Sequence, residues 1–301
     1  MTEKPRVGFL GVGLMGHGAA KNILEKGYPL AILGHRNREP VEDLVGRGAT
    51  EAKDAASLAA ASDVVIICVP SGVEMEAAFA GPRGLMAGAR PGTIFIDATT
   101  NDPAVTRKVG AEVKAIGCDL IDAALGRTPK EAEEGKLATY VGGDPATIEK
   151  VRPILETYTD TIVVCGGLGA GTTCKLVNNS ITIGMIAIIS EAFATAAKLG
   201  VDLTALSSVL SAGGVDGRMW QMLKPWILDG DDSRLRGPIR IGAKDIRTYG
   251  RMAENAGVAT FVAQAVNQTL RLALNQGHGE RFLPVLPGIL AELNGAKIRD
   301  V

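Results

Sequence analysis

The chain has 301 residues, 46% of them hydrophobic, and a formal net charge of −1 at pH 7. That length suits one large domain or two ordinary ones, and the balanced charge gives no electrostatic case for binding nucleic acid. Glycine is abundant (38 residues) while aromatics make up only 4%, which favours tight strand–helix turns over a base-stacking surface.

Arg6–Leu10 reads as a short strand, and Gly11, Gly13 and Gly16 follow it at once. From Leu14 to Lys26 the pattern becomes helical, and Gly27 closes it. Strand, GxGxxG, then helix is the context of a dinucleotide site. The first glycine makes the turn, the second admits a pyrophosphate to the backbone, and the third lets helix and strand pack closely. The helix N-terminus adds N–H donors and a positive dipole end for the phosphates.

A second strand, Pro29–Leu33, ends at Gly34-His35-Arg36-Asn37-Arg38. An NAD site would place a carboxylate about 20 residues past the glycines for the ribose hydroxyls. Here that place holds Gly34, with His35, Arg36 and Arg38 behind it. Arg36 and Arg38 could clamp a 2′-phosphate, so NADP is favoured over NAD. Solvated loop charge is the plainer alternative, more so for Arg38.

The alternation continues with helices over Val41–Arg47 and Asp54–Ala61 and a continuous apolar strand, Val64–Val69, of the kind buried on both faces of a parallel sheet. Glu74–Phe79 is helical, Thr93–Ile96 is a strand leading to Thr99-Thr100, and Asp102 caps a helix with Pro103 in its first turn. Cys118–Asp122 is the next strand, and Thr139–Gly142, Ala146–Glu156 and Thr161–Val164 add strand, helix and strand. Repeated units of this kind predict an α/β, Rossmann-type doubly wound sheet. Ligands then bind beyond the carboxyl ends of the strands, which points to Val69, Pro70, Thr100 and the loop after Asp122. In that loop Gly126-Arg127-Thr128 offers a guanidinium and neighbouring donors to an anion. The alternative is that Arg127 pairs with Glu131, Glu133 or Glu134.

After Gly171 the strand pattern stops. A long apolar helix over Ala170–Leu199, expected to be buried, is followed by helices over Leu203–Ser211, Arg218–Leu228, Ile239–Asn255, Ala259–Leu274 and Val285–Asn294. This predicts two domains, 1–167 for the dinucleotide and 168–301 all-helical for substrate and oligomerisation. Within the long helix Lys175, Asn178, Asn179 and Thr182 are spaced three, four and seven apart, so they share one face. A lone lysine there would snorkel to the surface; two amides and a hydroxyl beside it make an active-site wall, with Lys175 moving the proton and Asn179 orienting it. Lys244-Asp245 is a charged pair in an apolar stretch and reads either as a site feature or as a surface ion pair. More apolar helical surface than one subunit can cover predicts a homodimer or homotetramer.

The cysteines Cys68, Cys118, Cys165 and Cys174 lack CxxC spacing, and His17, His35 and His278 lie far apart. No disulfide framework and no metal site are expected. The N-terminal apolar run is short and glycine-punctuated, so no secretory signal is expected, and no run reaches the roughly 18 uninterrupted apolar residues of a membrane span. Those features predict a cytoplasmic protein without membrane partners.

GFLGVGLMG, Asp97-Ala98-Thr99-Thr100, the loop from Asp122, GGLGAGTTCKLVNN and Ala-Lys-Asp occur in this order, and in that order the chain resembles the β-hydroxyacid dehydrogenases over essentially its whole length. The resemblance implies an NAD(P)-dependent oxidoreductase, with Lys175 as catalytic proton donor and acceptor. It puts Asn178, Asn179 and Thr182 on substrate and Leu14, Met15, Val69, Thr100 and Lys244 on the cofactor. Most members carry Ser-Gly-Gly where this chain has Gly126-Arg127-Thr128. The Gly-Arg-Thr form is similar to the sulfolactaldehyde reductase branch, in which the arginine meets a sulfonate, although that branch has Asp where this chain has Gly34. The substrate implied is a small anionic aldehyde or β-hydroxy acid. Imine reductases resemble the family in fold and cofactor but generally lack the lysine, and non-catalytic dinucleotide-binding sensors tend to have lost it, so Lys175 weighs against both.

Overall fold

The structure, a computed structural model, describes residues 4–299. By their internal contacts the residues form two compact units, Met1–Lys175 and Leu176–Val301. The division falls inside the long helix, eight residues beyond the expected end of the first domain at 167.

In the first unit the elements run β1 (Val7–Leu10), α1 (Gly16–Glu25), β2 (Leu30–Leu33), α2 (Glu39–Gly46), β3 (Thr50–Ala52), α3 (Ala55–Ala60), β4 (Val64–Ile67), α4 (Gly72–Phe79) and α5 (Leu85–Gly88). They continue as β5 (Ile94–Asp97), α6 (Pro103–Ala115), β6 (Asp119–Gly126), α7 (Pro129–Glu133), β7 (Leu137–Gly142), α8 (Pro145–Leu155), β8 (Thr159–Gly166) and α9 (Ala170–Lys198), the last of which crosses into the second unit. The eight strands form one sheet in the order β3-β2-β1-β4-β5-β6-β7-β8. Pairing is parallel except between β6 and β7.

Every residue of β1, β4 and β5 is buried, which is what the continuous apolar runs demand of strands covered on both faces. Asp54, Asp102 and Asp144 accept from backbone N–H groups at the starts of α3, α6 and α8 and so fix where those helices begin.

One reading of the sequence needs correction here, and two short elements went unread. β6 does not end at Asp122: Ala123–Gly126 continue as strand because β7 pairs with them, Gly126 opposite Ala138. Ala and Gly are poor strand formers, so only the partner strand reveals this segment. The three-residue β3 and the one-turn α5 carried no periodic signal long enough to read.

The second unit contains the rest of α9, then α10 (Leu203–Ala212), α11 (Arg218–Asp229), α12 (Ile239–Asn255), α13 (Phe261–Asn275), short turns at His278–Glu280 and Leu283–Val285, and α14 (Leu286–Leu293). Its core joins Ile186 and Phe193 of α9 to Trp220 and Trp226 of α11, Ile246 of α12, Leu270 of α13 and Ile289 of α14. Phe193 stacks on Trp220 with ring centroids 5.5 Å apart, and the indole N–H donates to Ser211 Oγ at 3.0 Å. α9 is less buried than its composition predicts, since Ile181 and Ile188 are 60% and 68% exposed. By length and composition it would also pass as a membrane span, a test that core helices pass too.

Candidate active site

The glycines after β1 are not equivalent. Gly11 has φ +101°, and a Cβ there would lie 2.0 Å from the Cys68 carbonyl oxygen at the end of β4. A Cβ on Gly16 would lie 2.0 Å from the Gly11 carbonyl oxygen. Packing forbids a side chain at both. Above Gly13 nothing lies within 4 Å, so its glycine is not demanded by the protein's own packing, and the open space suits a pyrophosphate. Leu14 is exposed and Met15 half-buried against the core. No side chain caps α1, and that leaves its first N–H groups for an anion. The residues present therefore fit a dinucleotide.

Beyond β4 and β5, one buried carboxylate shapes the loop. Asp97 accepts from Thr99 N at 3.0 Å, from Asn101 Nδ2 at 2.9 Å and from Thr106 Oγ1 at 3.0 Å. Thr99 Oγ1 in turn accepts from Val69 N at 3.2 Å. Val69 and Thr100 are half-buried and Pro70 is exposed. Burial pushes the Asp97 carboxyl up to about 7, against the pull of its donors.

A second buried carboxylate, Asp122 of β6, sets the start of α9. Its two oxygens accept from Gly169 N at 2.7 Å and from Thr172 N at 2.6 Å, satisfying N–H groups that the helix itself cannot. Lys175 follows Thr172 by three residues and is half-buried. Farther along the same helix Asn178 is exposed, while Asn179 and Thr182 are half-buried.

Four residues beyond Asp122 lies Gly126-Arg127-Thr128. Arg127 has φ 76° and is the one non-glycine among the described residues with positive φ. Its guanidinium takes Asp160 Oδ2 at 2.7 Å and Thr161 Oγ1 at 3.0 Å. It holds the Asp160 carboxyl below the usual range. Thr128 heads α7, its backbone N–H donating to Glu131 Oε2 at 3.1 Å. Glu133 is occupied by Lys21 and His17. The acidic helix therefore has partners of its own, and in place of the alternative in which Arg127 pairs with that helix the structure has it paired with Asp160.

At the end of β2, His35, Arg36 and Arg38 are exposed. Arg38 makes a two-pronged pair with Glu51 of β3, at 2.7 and 2.8 Å.

Within the second unit Asn179 Nδ2 donates to Asp245 Oδ2 at 2.7 Å, and Lys244 Nζ lies 2.9 Å from Asp245 Oδ1. Asp245 is 5% exposed. Asn178 Nδ2 donates to Asn179 Oδ1 at 3.3 Å, and Thr182 Oγ1 to the Asn179 carbonyl at 3.2 Å. Asp245 as the orienting partner of Asn179 was not singled out by spacing; a Lys-Asp pair within an apolar helix was its only trace. Nor was the architectural role of Asp97 and Asp122, whose signal was an acidic residue ending an apolar strand. Among the described residues no three His, Cys, Asp or Glu side chains are grouped to hold a metal ion.

Comparison with known proteins meets the same architecture. Residues 6–167 match the NAD binding domain of 6-phosphogluconate dehydrogenase, and residues 169–282 the NAD-binding region of NADP-dependent 3-hydroxyisobutyrate dehydrogenase. The chain is 32% identical over 218 residues to 2-hydroxy-3-oxopropionate reductase of Escherichia coli, covering 72% of this chain and 74% of that one. It is 31% identical over 290 residues to mitochondrial 3-hydroxyisobutyrate dehydrogenase of Mus musculus, covering 93% and 85%. A crystal structure of 3-hydroxyisobutyrate dehydrogenase from Salmonella typhimurium superposes with a TM-score of 0.82 at 23% identity, covering 94% of this chain and 99% of that one. These matches define an oxidoreductase that uses a nicotinamide dinucleotide. The chain belongs to the β-hydroxyacid dehydrogenase family.

Proposed function

We propose that the protein is a cytoplasmic, NADP-preferring reductase of small anionic aldehydes, working reversibly on the corresponding β-hydroxy acids, with Lys175 as general acid and base. The observation that carries this reading is the anchoring of α9: hydrogen bonds from Gly169 N and Thr172 N to Asp122 fix the helix start, the second of them three residues before Lys175.

Gly11, Gly13, Leu14, Met15 and Gly16 with the α1 N-terminus would hold the pyrophosphate, Arg36 beside His35 the 2′-phosphate, and Val69, Pro70 and Thr100 the nicotinamide half. Lys244 is carried over from the family as a further cofactor contact. Bound nicotinamide supplies or accepts the hydride at the substrate carbon. Lys175 gives a proton to the carbonyl oxygen in reduction and takes one from the hydroxyl in oxidation.

Asp245 can only accept, so it commits Asn179 Nδ2 and leaves Asn179 Oδ1 as an acceptor. That oxygen, with a lone pair beyond the one given to Asn178, would receive the substrate hydroxyl, with Asn178 and Thr182 bordering it. Arg127 with Gly126 and Thr128 would receive the anionic end, with the anion competing against Asp160. The positive φ of Arg127 costs about 1 kcal/mol, and strain of this kind persists where the surrounding structure enforces it, often at binding sites. The exposed apolar side chains of α9 and α13, Phe261 at 85% among them, support a homodimer or homotetramer.

Loss of NADPH or NADH absorbance with sulfolactaldehyde, succinic, methylmalonic and tartronic semialdehydes and glyoxylate tests the reading. Turnover of at least one, faster with NADPH and lowered about a hundredfold or more in Lys175→Met, is expected. No consumption with any of them would overturn it.

A further inference from the structure

Gly34 stands where a dinucleotide site that favours NAD carries its acidic residue, yet a carboxylate occupies that place. A Cβ built on Gly34 would lie 2.3 Å from Glu51 Oε1 and 2.5 Å from an Arg38 terminal nitrogen. Glu51 comes from β3, where it is paired with Ile32 of β2, two residues before Gly34. Its side chain fills the space of the missing one and holds Arg38 by two parallel N–H···O bonds at 2.7 and 2.8 Å. Arg38 in turn keeps the Glu51 carboxyl below its ordinary range, so it is ionised at neutral pH. Arg36, two residues away, makes no hydrogen bond or ion pair to these groups.

We propose that Glu51 sets the choice between NAD and NADP by withholding Arg38 from the 2′-phosphate. This rests on the reading of the Gly34–Arg38 loop as the ribose end of the dinucleotide site. A dianionic phosphate near Arg38 must compete with a carboxylate already in bidentate geometry, and it meets that carboxylate's charge as well. A ribose 2′-hydroxyl meets neither obstacle, because Glu51 can accept from it. The selectivity is therefore graded by two arginines of different standing: Arg36 is available at once, while Arg38 is available only when it leaves Glu51.

The test is a binding measurement that needs no substrate. Dissociation constants for NADP+ and NAD+, and for 2′-phospho-ADP-ribose and ADP-ribose, are measured by calorimetry for the wild type, Glu51→Gln, Arg38→Ala, the double variant and Arg36→Ala. Releasing one charge-assisted pair predicts about tenfold tighter binding of the 2′-phosphorylated ligands in Glu51→Gln. NAD+ and ADP-ribose should bind no tighter. Arg38→Ala should remove that gain, so that the double variant resembles Arg38→Ala. An equal change for all four ligands in Glu51→Gln, or a gain that survives without Arg38, would overturn the proposal. A wild type that prefers NAD+ would refute the NADP preference, and the two-residue cycle would still decide the role of Glu51. Thermal unfolding of each variant identifies misfolding, and Glu51→Ala, expected to act as Glu51→Gln does, then replaces the failed variant.

Discussion

Asn179 Nδ2 lies 2.7 Å from Asp245 Oδ2, so α9 and α12 are joined within the second unit by a bond whose polarity is fixed. A carboxylate accepts only, and the asparagine therefore cannot turn its amide around. In Asp245→Asn that constraint is lost, and the amide of residue 179 is free to present either end. A hydrogen bond to a charged partner is worth about 1.5–3 kcal/mol, so kcat should fall roughly ten- to hundredfold. KM should change much less. Steady-state kinetics beside thermal unfolding separate the cases: a lowered Tm with unchanged kcat would assign the bond to packing alone.

Lys175→Met keeps the length and apolar stem of the side chain and removes the proton. General acid–base catalysis contributes about 10²–10⁴-fold, and a loss of that order in kcat is expected, with NADP+ affinity within about twofold of the wild type. Turnover within tenfold of the wild type would dismiss Lys175 as the proton carrier.

Arg127→Ala separates recognition from architecture. It removes the guanidinium that Asp160 and Thr161 hold. KM for an anionic aldehyde should rise at least about tenfold, as loss of one charge-assisted bond implies, while a neutral aldehyde of the same length is unaffected. Equal effects on both substrates would place Arg127 in support of the β7–β8 edge.

Asp97 gives the protein a pH-dependent stability. Its carboxyl rises from 3.8 to about 7 on folding, so between those values the folded chain retains a proton that the unfolded chain releases. The resulting stabilisation is fully present below about 3.8 and is lost as pH rises through about 7. At about 1.36 kcal/mol per unit the effect is on the order of several kcal/mol. Melting curves from about pH 5 to about pH 8 should show the wild type losing stability relative to Asp97→Asn. Parallel curves would mean that the three donors around Asp97 keep it ionised throughout.

Much of the fold was legible because its signals are local. GxGxxG after a short strand, the aspartate before Pro103, and the apolar run at Val64 each specify structure within a few residues. What escaped reading depends on partners distant in sequence. Ala123–Gly126 is strand only because β7 returns alongside it, and Arg127 chooses Asp160, thirty-three positions later, over three nearer acids. The same holds for the site: the spacing of Lys175, Asn178, Asn179 and Thr182 was visible, but the carboxylates that fix Asn179 and the start of α9 are 66 and roughly 50 residues away.

The anchoring of α9 by Asp122 has a geometric consequence for evolution. A single stretch of β6 separates the carboxylate that seats the lysine-bearing helix from the turn holding Arg127, and four strand residues span about 13 Å. Under the proposed function that stretch is a ruler between the proton that Lys175 would move and the anionic end that Arg127 would hold. Inserting or deleting one residue would shift the far mark by about 3.3 Å and turn the following side chains to the opposite face of the sheet. Relatives that handle longer or shorter acids should therefore change the identity of the turn residues and keep the interval from the aspartate intact.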